Sequence, residues 1–480
     1  MTPAIPEFAP TEEQLLIREA ARSTKDNLLI SALAGAAKTS TLVLLAKALP
    51  TTPILCLAFN KKIAQEMKER LSSNCQAKTL NGLGHQVWMQ TTGKRLTIES
   101  SKTYNILSSL INDLPDRDKN NIYPLIGETI KAIDAGKTAG YVPSSFTSTA
   151  LMSEDDLFAW LDEAPTPLQE DLIIRASEMS VKQAFEGLID FNDQILLPTV
   201  FPATFPQFPL VMVDEAQDLS ALNHATLHKL ARQRIFAVGD ACQAIYGFRG
   251  AHENSMDLLR ETFKMRELTL SISFRCPQNV VKEAQWRAPH MQWGPAAAEG
   301  VVRSLERWSA ADIPLAAAII CRNNAPIFRL ALKLIQSGRY PEIVGNDIGK
   351  ALLKILKKLG DEKMKQEQVL EKIAQWKAAK LAKSRSPGSI ADQAECLMLF
   401  AEHGETLGAA IAFAEHLINS AGPVKMLTIH KSKGLEFDHV LILDKDLIRT
   451  TEAQERNLLY VAITRAKQTL TYVYSGGFAG

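Results

Sequence analysis

Six short apolar runs punctuate the chain, and each breaks off abruptly into small or polar residues. Leu28-Leu29-Ile30 leads into SALAGAAKTS, Ile54-Leu55-Cys56-Leu57 into AFNKK, and Leu210-Val211-Met212-Val213 into DEAQD. Ile235-Phe236-Ala237-Val238 leads into GDACQ, Ala317-Ala318-Ile319-Ile320 into CRNN, and Val440-Leu441-Ile442-Leu443 into DKD. Continuous apolar runs of this length predict parallel strands covered on both faces. Ligands of such sheets bind beyond the carboxyl ends of the strands, where these polar segments fall. The expected class is α/β. Two stretches break the rhythm, about 86–188 and about 346–420, and both read as mainly helical insertions. The second begins with a lysine-rich half (Lys354, Lys357, Lys358, Lys363, Lys365, Lys372, Lys377, Lys380, Lys383). That half is either a solvated helix face or a duplex-contacting surface.

A chain of 480 residues exceeds one ordinary core, which predicts at least two domains. Lys and Arg (54) nearly cancel Asp and Glu (53), so a nucleic-acid footprint has to be local rather than global. The six cysteines are scattered, without the pairing of a zinc site or a disulfide framework. No apolar run approaches the roughly 20 residues of a membrane span. The expectation is a cytoplasmic protein with no membrane partner.

The strongest local signal is Ala32-Leu33-Ala34-Gly35-Ala36-Ala37-Lys38-Thr39-Ser40, between a strand and the helical run TLVLLAKAL. A phosphate-cradling loop needs small residues for close backbone approach, a lysine for the β- and γ-phosphates, a hydroxyl for Mg²⁺ and a helix N-terminus. The glycines of the usual pattern are replaced by Ala32 and Ala37, and a methyl at position 37 crowds the phosphate if the backbone there needs positive φ. A similar triplet, Gly136-Lys137-Thr138, follows a helical run and reads as a glycine-capped helix C-terminus. At the end of the most apolar strand, Asp214 can hold Mg²⁺ and Glu215 can polarise an attacking water. Buried acids are costly without such a task.

These motifs fall into the order of the UvrD/Rep (superfamily one) DNA helicases, which the chain resembles from Gln14 to Lys467. AFNK together with ALAGAAKTSTL is most similar to the F-box DNA helicase and phage-encoded branch. The resemblance implies adenine recognition by Gln14 and by Phe274, with Gly434 and the ribose partner Glu436 also at the ATP. It implies that Arg275 reaches the γ-phosphate, that Arg465 acts as an arginine finger, and that Gln243 couples ATP to DNA. Lys38, Glu215, Gln243, Arg275 and Arg465 are then the catalytic set, with Thr39 and Asp214 at Mg²⁺. For strand contact it implies Phe59, Asn60, Lys61, Thr79, Asn81, Tyr246, Phe248, Arg249, Arg322, Asn324, Thr428 and His430. Asp190-Phe191-Asn192-Asp193 resembles the D-F-x-D segment that precedes the DEAQ strand.

The implied fold is two RecA-like P-loop motor domains, each with a mainly helical insertion. Their expected extents are 1–85 with 189–270 (insertion 86–188) and 271–345 with 421–480 (insertion 346–420). The implied activity is ATP-dependent 3′-to-5′ movement on single-stranded DNA, driven from a cleft between the motor domains, with duplex unwinding. Implied partners are single-stranded DNA, single/double-strand junctions, and single-strand-binding or recombination proteins, in a bacterial or phage-infected cell. Two rival readings stand beside it. One is a translocase that displaces proteins without processive unwinding; the other is a DNA-binding regulatory subunit with a weakened ATPase, favoured only by Ala37.

Overall fold

The computed structural model describes residues 9–58, 60–161, 163–246, 254–382 and 387–479, apart from the side chains of Asn346 and Asp347. Phe59, Phe248, Arg249 and Lys383 lie outside the described residues. The chain divides into two compact units: residues 1–32 with 37–270, and 33–36 with 271–480.

The first unit is built on six parallel strands: β1 (Leu28–Ala32), β2 (Ile54–Ala58), β3 (Cys75–Thr79), β4 (Phe208–Val213), β5 (Ala231–Gly239) and β6 (Arg266–Leu270), in the order β3-β2-β4-β5-β1-β6. Of these, the four inner strands carry the apolar runs, because only they are covered on both faces and flanked on both edges. Edge strand β3, CQAKT, is half-exposed and shows no such run. Leu29, Leu55, Leu57, Val211, Val213, Ile235 and Ala237 form one buried cluster on this sheet. The stretch between β3 and β4 is mainly helical, and its helices Lys102–Asn112, Ile126–Ala139 and Pro167–Phe185 enclose a core of their own around Ile106, Leu107, Ile133, Leu172 and Ile173.

The triplet Gly136-Lys137-Thr138 lies in the last turn of Ile126–Ala139, but its glycine is not the cap. Gly140, at φ +93°, closes the helix instead, which corrects the sequence expectation. A left-handed residue is needed one position beyond the helix end, and only Gly140 stands there.

The second unit repeats the plan with β7 (Val301–Leu305), β8 (Ala318–Cys321), β9 (Pro341–Ile343), β10 (Val424–Thr428), β11 (Phe437–Leu443) and β12 (Ala466–Val473). These run parallel in the order β7-β12-β11-β8-β10-β9. Between β9 and β10 come four helices, Asn346–Leu356, Gln366–Leu381, Pro387–Glu402 and Leu407–Ile418. They bury Leu356, Ile373, Leu397, Phe400 and Leu417 in the same cluster as Ile319 and Leu441 of the sheet. This second helical stretch thus shares its core with the sheet, whereas the first has a separate one.

Candidate functional site

The first unit gathers its motifs at the carboxyl ends of β1, β4 and β5. The loop after β1 reaches helix Lys38–Ala48 through two left-handed residues, Gly35 at φ +75° and Ala37 at φ +56°. Left-handed turns direct successive backbone N–H groups to one side, making a concave seat for an anion. The helix has no side-chain cap, so its first N–H groups face the same seat. Ala37 is an L-residue in a conformation that costs about 1–2 kcal/mol.

Lys38 and Glu215, 177 positions apart in sequence, meet here: Nζ lies 3.1 Å from Oε2. Beside them the Thr39 hydroxyl donates to Asp214 Oδ2 at 3.3 Å. Burial works against the Lys38 ammonium, but Glu215, Asp240 and Asp214 outweigh it and hold its pKa above the usual lysine value. Burial first, then the charge on Glu215, push Asp214 up to about 7 against the opposing pull of Lys38. A hydroxyl and a carboxylate side by side are the hard oxygen donors that Mg²⁺ prefers, so the pair fits that ion. Asp240, fully buried, is likewise raised by desolvation, with Lys38 and a Gln243 hydrogen bond opposing.

Glu215 is itself left-handed, at φ +53° and ψ +44°. Non-glycine residues persist in such strain only where their surroundings fix them, and they cluster at functional sites. Its surroundings are a relay of hydrogen bonds. The Gln217 amide donates to Glu215 at 2.6 Å and accepts from the Asp240 N–H at 2.9 Å, and the Gln243 amide donates to Asp240 at 2.6 Å. Gln217 and Asp240 were given no role of their own in the sequence reading, yet they join the acid after β4 to the glutamine after β5. The GDACQ spacing was the available signal.

Other expected residues are placed as follows. Gln14 completes a capping box with Thr11, and its amide donates to Thr41 at 3.0 Å. The Ser40 hydroxyl accepts from Arg70 at 2.9 Å. Asn60 and Thr79 cap the helices that follow them, accepting from Ile63 N and Gly82 N, while Lys61 is exposed. Asn81 donates to the Phe191 carbonyl at 2.9 Å, and Tyr246 is half-buried on a cleft with Asn81 and Phe191.

Within the second unit, Phe274 is exposed and Arg275 pairs with Glu436 at 2.7 Å. Gly434, at φ +80°, turns the loop ahead of Glu436. Arg465 is only 1% exposed; its guanidinium donates to the carbonyls of Val461 (2.9 Å) and Leu435 (3.1 Å). Arg322 is gripped by both oxygens of Glu455 at 2.8–3.0 Å. Asn324 donates its side-chain amide to Asp392, whose carboxylate also accepts the backbone N–H groups of Asn324 and Ala325. Thr428 is buried at the end of β10, and His430 lies half-buried in the next turn. Glu455 and Asp392 escaped the sequence reading because they stand 133 and 68 positions from their partners.

Among the described residues no helix is long and apolar enough to cross a membrane. Residues 14–264 match the family model of the UvrD/REP helicase N-terminal domain, and residues 423–473 that of the UvrD-like helicase C-terminal domain. The chain is 25% identical to F-box DNA helicase protein 1 of Schizosaccharomyces pombe, over 96% of its own length and 57% of the relative's. It is 27% identical to the ATP-dependent DNA helicase PcrA of Leuconostoc citreum, over 55% of this chain and 37% of that one. Against the ATP-dependent DNA helicase UvrD1 of Mycobacterium tuberculosis the identity is 24%, over 57% and 38%. The chain thus spans less than two thirds of the length of each of these relatives.

Proposed function

Because the chain belongs to the UvrD/REP helicase family, we propose that it is an ATP-driven motor that moves 3′-to-5′ along single-stranded DNA and unwinds duplex ahead of it. The observation that carries this reading is the meeting of Lys38-Thr39 with Asp214-Glu215, at 3.1 and 3.3 Å, beside a left-handed anion seat. Magnesium-bound ATP supplies the scissile phosphoanhydride. Lys38 exchanges its bond to Glu215 for the phosphate oxygens, and Thr39 and Asp214 would hold the ion, which would neutralise phosphate charge there. Glu215, released from Lys38 but still held by Gln217, is then free to orient the attacking water. The relay through Gln217 and Asp240 to Gln243 gives the loops after β4 and β5 a shared response to the nucleotide. Arg275 and Arg465 stabilise the charge that develops on the γ-phosphate, as their motifs in the family imply. Asn60, Lys61, Thr79, Asn81, Tyr246, Arg322, Asn324, Thr428 and His430 are the proposed strand contacts, together with Phe59, Phe248 and Arg249. Junctions, single-strand-binding proteins and recombination proteins are the proposed partners.

Steady-state ATP hydrolysis, with and without single-stranded DNA, tests the motor. A strong DNA-dependent rise is expected, together with opening of a duplex that carries a 3′ single-stranded tail. Displacement of a bound protein without duplex opening would select the translocase reading. DNA binding without hydrolysis would leave a regulatory subunit.

Ala37→Gly measures what the left-handed alanine costs. Glycine removes about 1–2 kcal/mol of strain but gains about 0.5–1 kcal/mol of unfolded-chain entropy. The expected net is a gain of up to about 1.5 kcal/mol, seen as a slightly higher melting temperature, with the KM for ATP lowered by less than about tenfold. A drop in melting temperature would show that the loop exploits the methyl.

A further inference from the structure

Four charged side chains are buried together in the first unit, away from the phosphate seat. Lys102 and Lys137 come from two helices of the first helical stretch; Asp190 and Asp193 bracket the turn that opens helix Asp193–Val200. Lys137 Nζ contacts Asp190 at 2.5 Å, Asp193 at 2.7 Å and the Ser180 hydroxyl at 2.7 Å. Lys102 Nζ contacts Asp193 at 2.6 Å and the Ser180 carbonyl at 2.8 Å. The aspartates also bind their own turn: Asp190 accepts from the N–H groups of Asn192 and Asp193, and Asp193 from that of Asp190. Two cations and two anions therefore fix one four-residue turn from above and from within. A third carboxylate, Asp134, faces the cluster, and burial, then Asp190, push it up to about 6 despite Lys137.

Such a cluster is expensive to bury, and packed apolar residues often replace one without loss of stability. Its position suggests what it is kept for. The clamped turn carries Phe191, which is 56% exposed, to the lip of a cleft of about 230 Å³ that Asn81, Asn192 and Tyr246 also line. Lys137 and Thr138 form part of the wall, and Asn81 donates to the Phe191 carbonyl. An exposed aromatic held beside hydrogen-bonding side chains suits an unstacked base.

We propose that Lys102 and Lys137 are positioning residues, which hold the Asp190–Asp193 turn so that Phe191 meets a nucleic-acid base at this cleft. The proposal rests on the strand-binding reading above. It makes the first helical stretch part of the strand grip, through the turn that its two lysines hold.

Binding of fluorescent oligothymidylate to the full chain, read by anisotropy, tests it with Lys137→Met, Phe191→Ala and the double variant. Phe191→Ala is exposed and is expected to fold normally while weakening binding about 5- to 100-fold. Lys137→Met is expected to weaken it comparably, and the double variant no more than the stronger single one, because both act on the same contact. ATP turnover without DNA and the KM for ATP should stay unchanged in Lys137→Met. If Lys137→Met melts below the assay temperature, Lys137→Met with Asp190→Asn, which removes a cation and an anion together, replaces it in the cycle. Unchanged binding by Phe191→Ala, or effects that multiply, overturns the clamp alone. A wild-type chain that does not bind the oligonucleotide overturns the strand-binding reading and the clamp with it.

Discussion

Lys38→Ala and Glu215→Gln are each expected to lower DNA-stimulated ATP turnover by about 10²- to 10³-fold, and to do so for different reasons. In the proposed mechanism Lys38 supplies positive charge to phosphate oxygens in a mostly buried seat, where one preorganised donor is worth about 10²–10³ in rate. Its loss removes a ground-state contact as well, so nucleotide binding should weaken along with turnover. Glu215→Gln keeps the shape of the side chain and removes only the charge that polarises water. Nucleotide binding should therefore persist, and tighten if anything, because Lys38 no longer has an anionic competitor at 3.1 Å. Equilibrium binding of a fluorescent ATP analogue, set beside turnover, separates the two. Glu215→Gln with turnover within tenfold of wild type would remove that carboxylate from the mechanism.

The second large effect concerns the arginines of the second unit. Arg275→Ala and Arg465→Ala should each reduce turnover by about 10³-fold or more if they serve the γ-phosphate, the range measured for arginine fingers. Their effects on stability should differ. The Arg275–Glu436 pair is substantially exposed, and pairs of that kind are worth about 1 kcal/mol or less. Melting of Arg275→Ala should thus stay within a few degrees of wild type. Arg465 is buried; its removal leaves the Val461 carbonyl with only the Thr464 hydroxyl and takes the guanidinium donor from the Leu435 carbonyl, at about 1–3 kcal/mol for an acceptor left unpaired. Arg465→Ala should melt lower than Arg275→Ala, by several degrees. Equal turnover losses with unequal melting shifts is the expected pattern. Normal turnover in Arg275→Ala would exclude it from catalysis.

The legible parts of this chain were those whose residue type is dictated locally. β1, β2, β4, β5, β8 and β11 announce themselves because each carries an unbroken run of buried apolar residues, whereas the equally inner β10 and β12 read VKMLT and AKQTLTYV and do not. The edge strands do not: β3 reads CQAKT and β6 reads RELTL, mixtures that also suit a loop or a helix. The phosphate loop and the DEAQ acids were legible because backbone approach and metal chemistry restrict the choice of residues within a few positions. Glu455 and Asp392 act on partners brought near only by the fold, and no local pattern marks that; the bond from Asp240 to Gln217 is of the same kind, although the spacing of GDACQ did place Asp240 beside Gln243. Lys137 is the instructive case. Its neighbours Gly136 and Thr138 imitate a phosphate loop, which drew attention to the triplet as a decoy and away from the lysine as a buried cation. The spacing of Asp190 and Asp193 was visible, but their counterions lie 53 to 91 positions upstream.

The strand order of the first sheet also bears on how the protein is made. β1 leads directly into the phosphate loop, yet both of its neighbours, β5 and β6, are encoded about 200 residues later. At ribosomal rates of about 5–20 residues per second, β1 emerges roughly 10–40 s before either partner exists. During that interval an apolar ribbon with two unpaired edges is exposed, and the first helical stretch, with its own separate core, can fold while β1 waits. The nucleotide seat is thus among the last parts of its unit to acquire support, and the nascent chain has its greatest need of a chaperone while the segment between β3 and β5 is being synthesised.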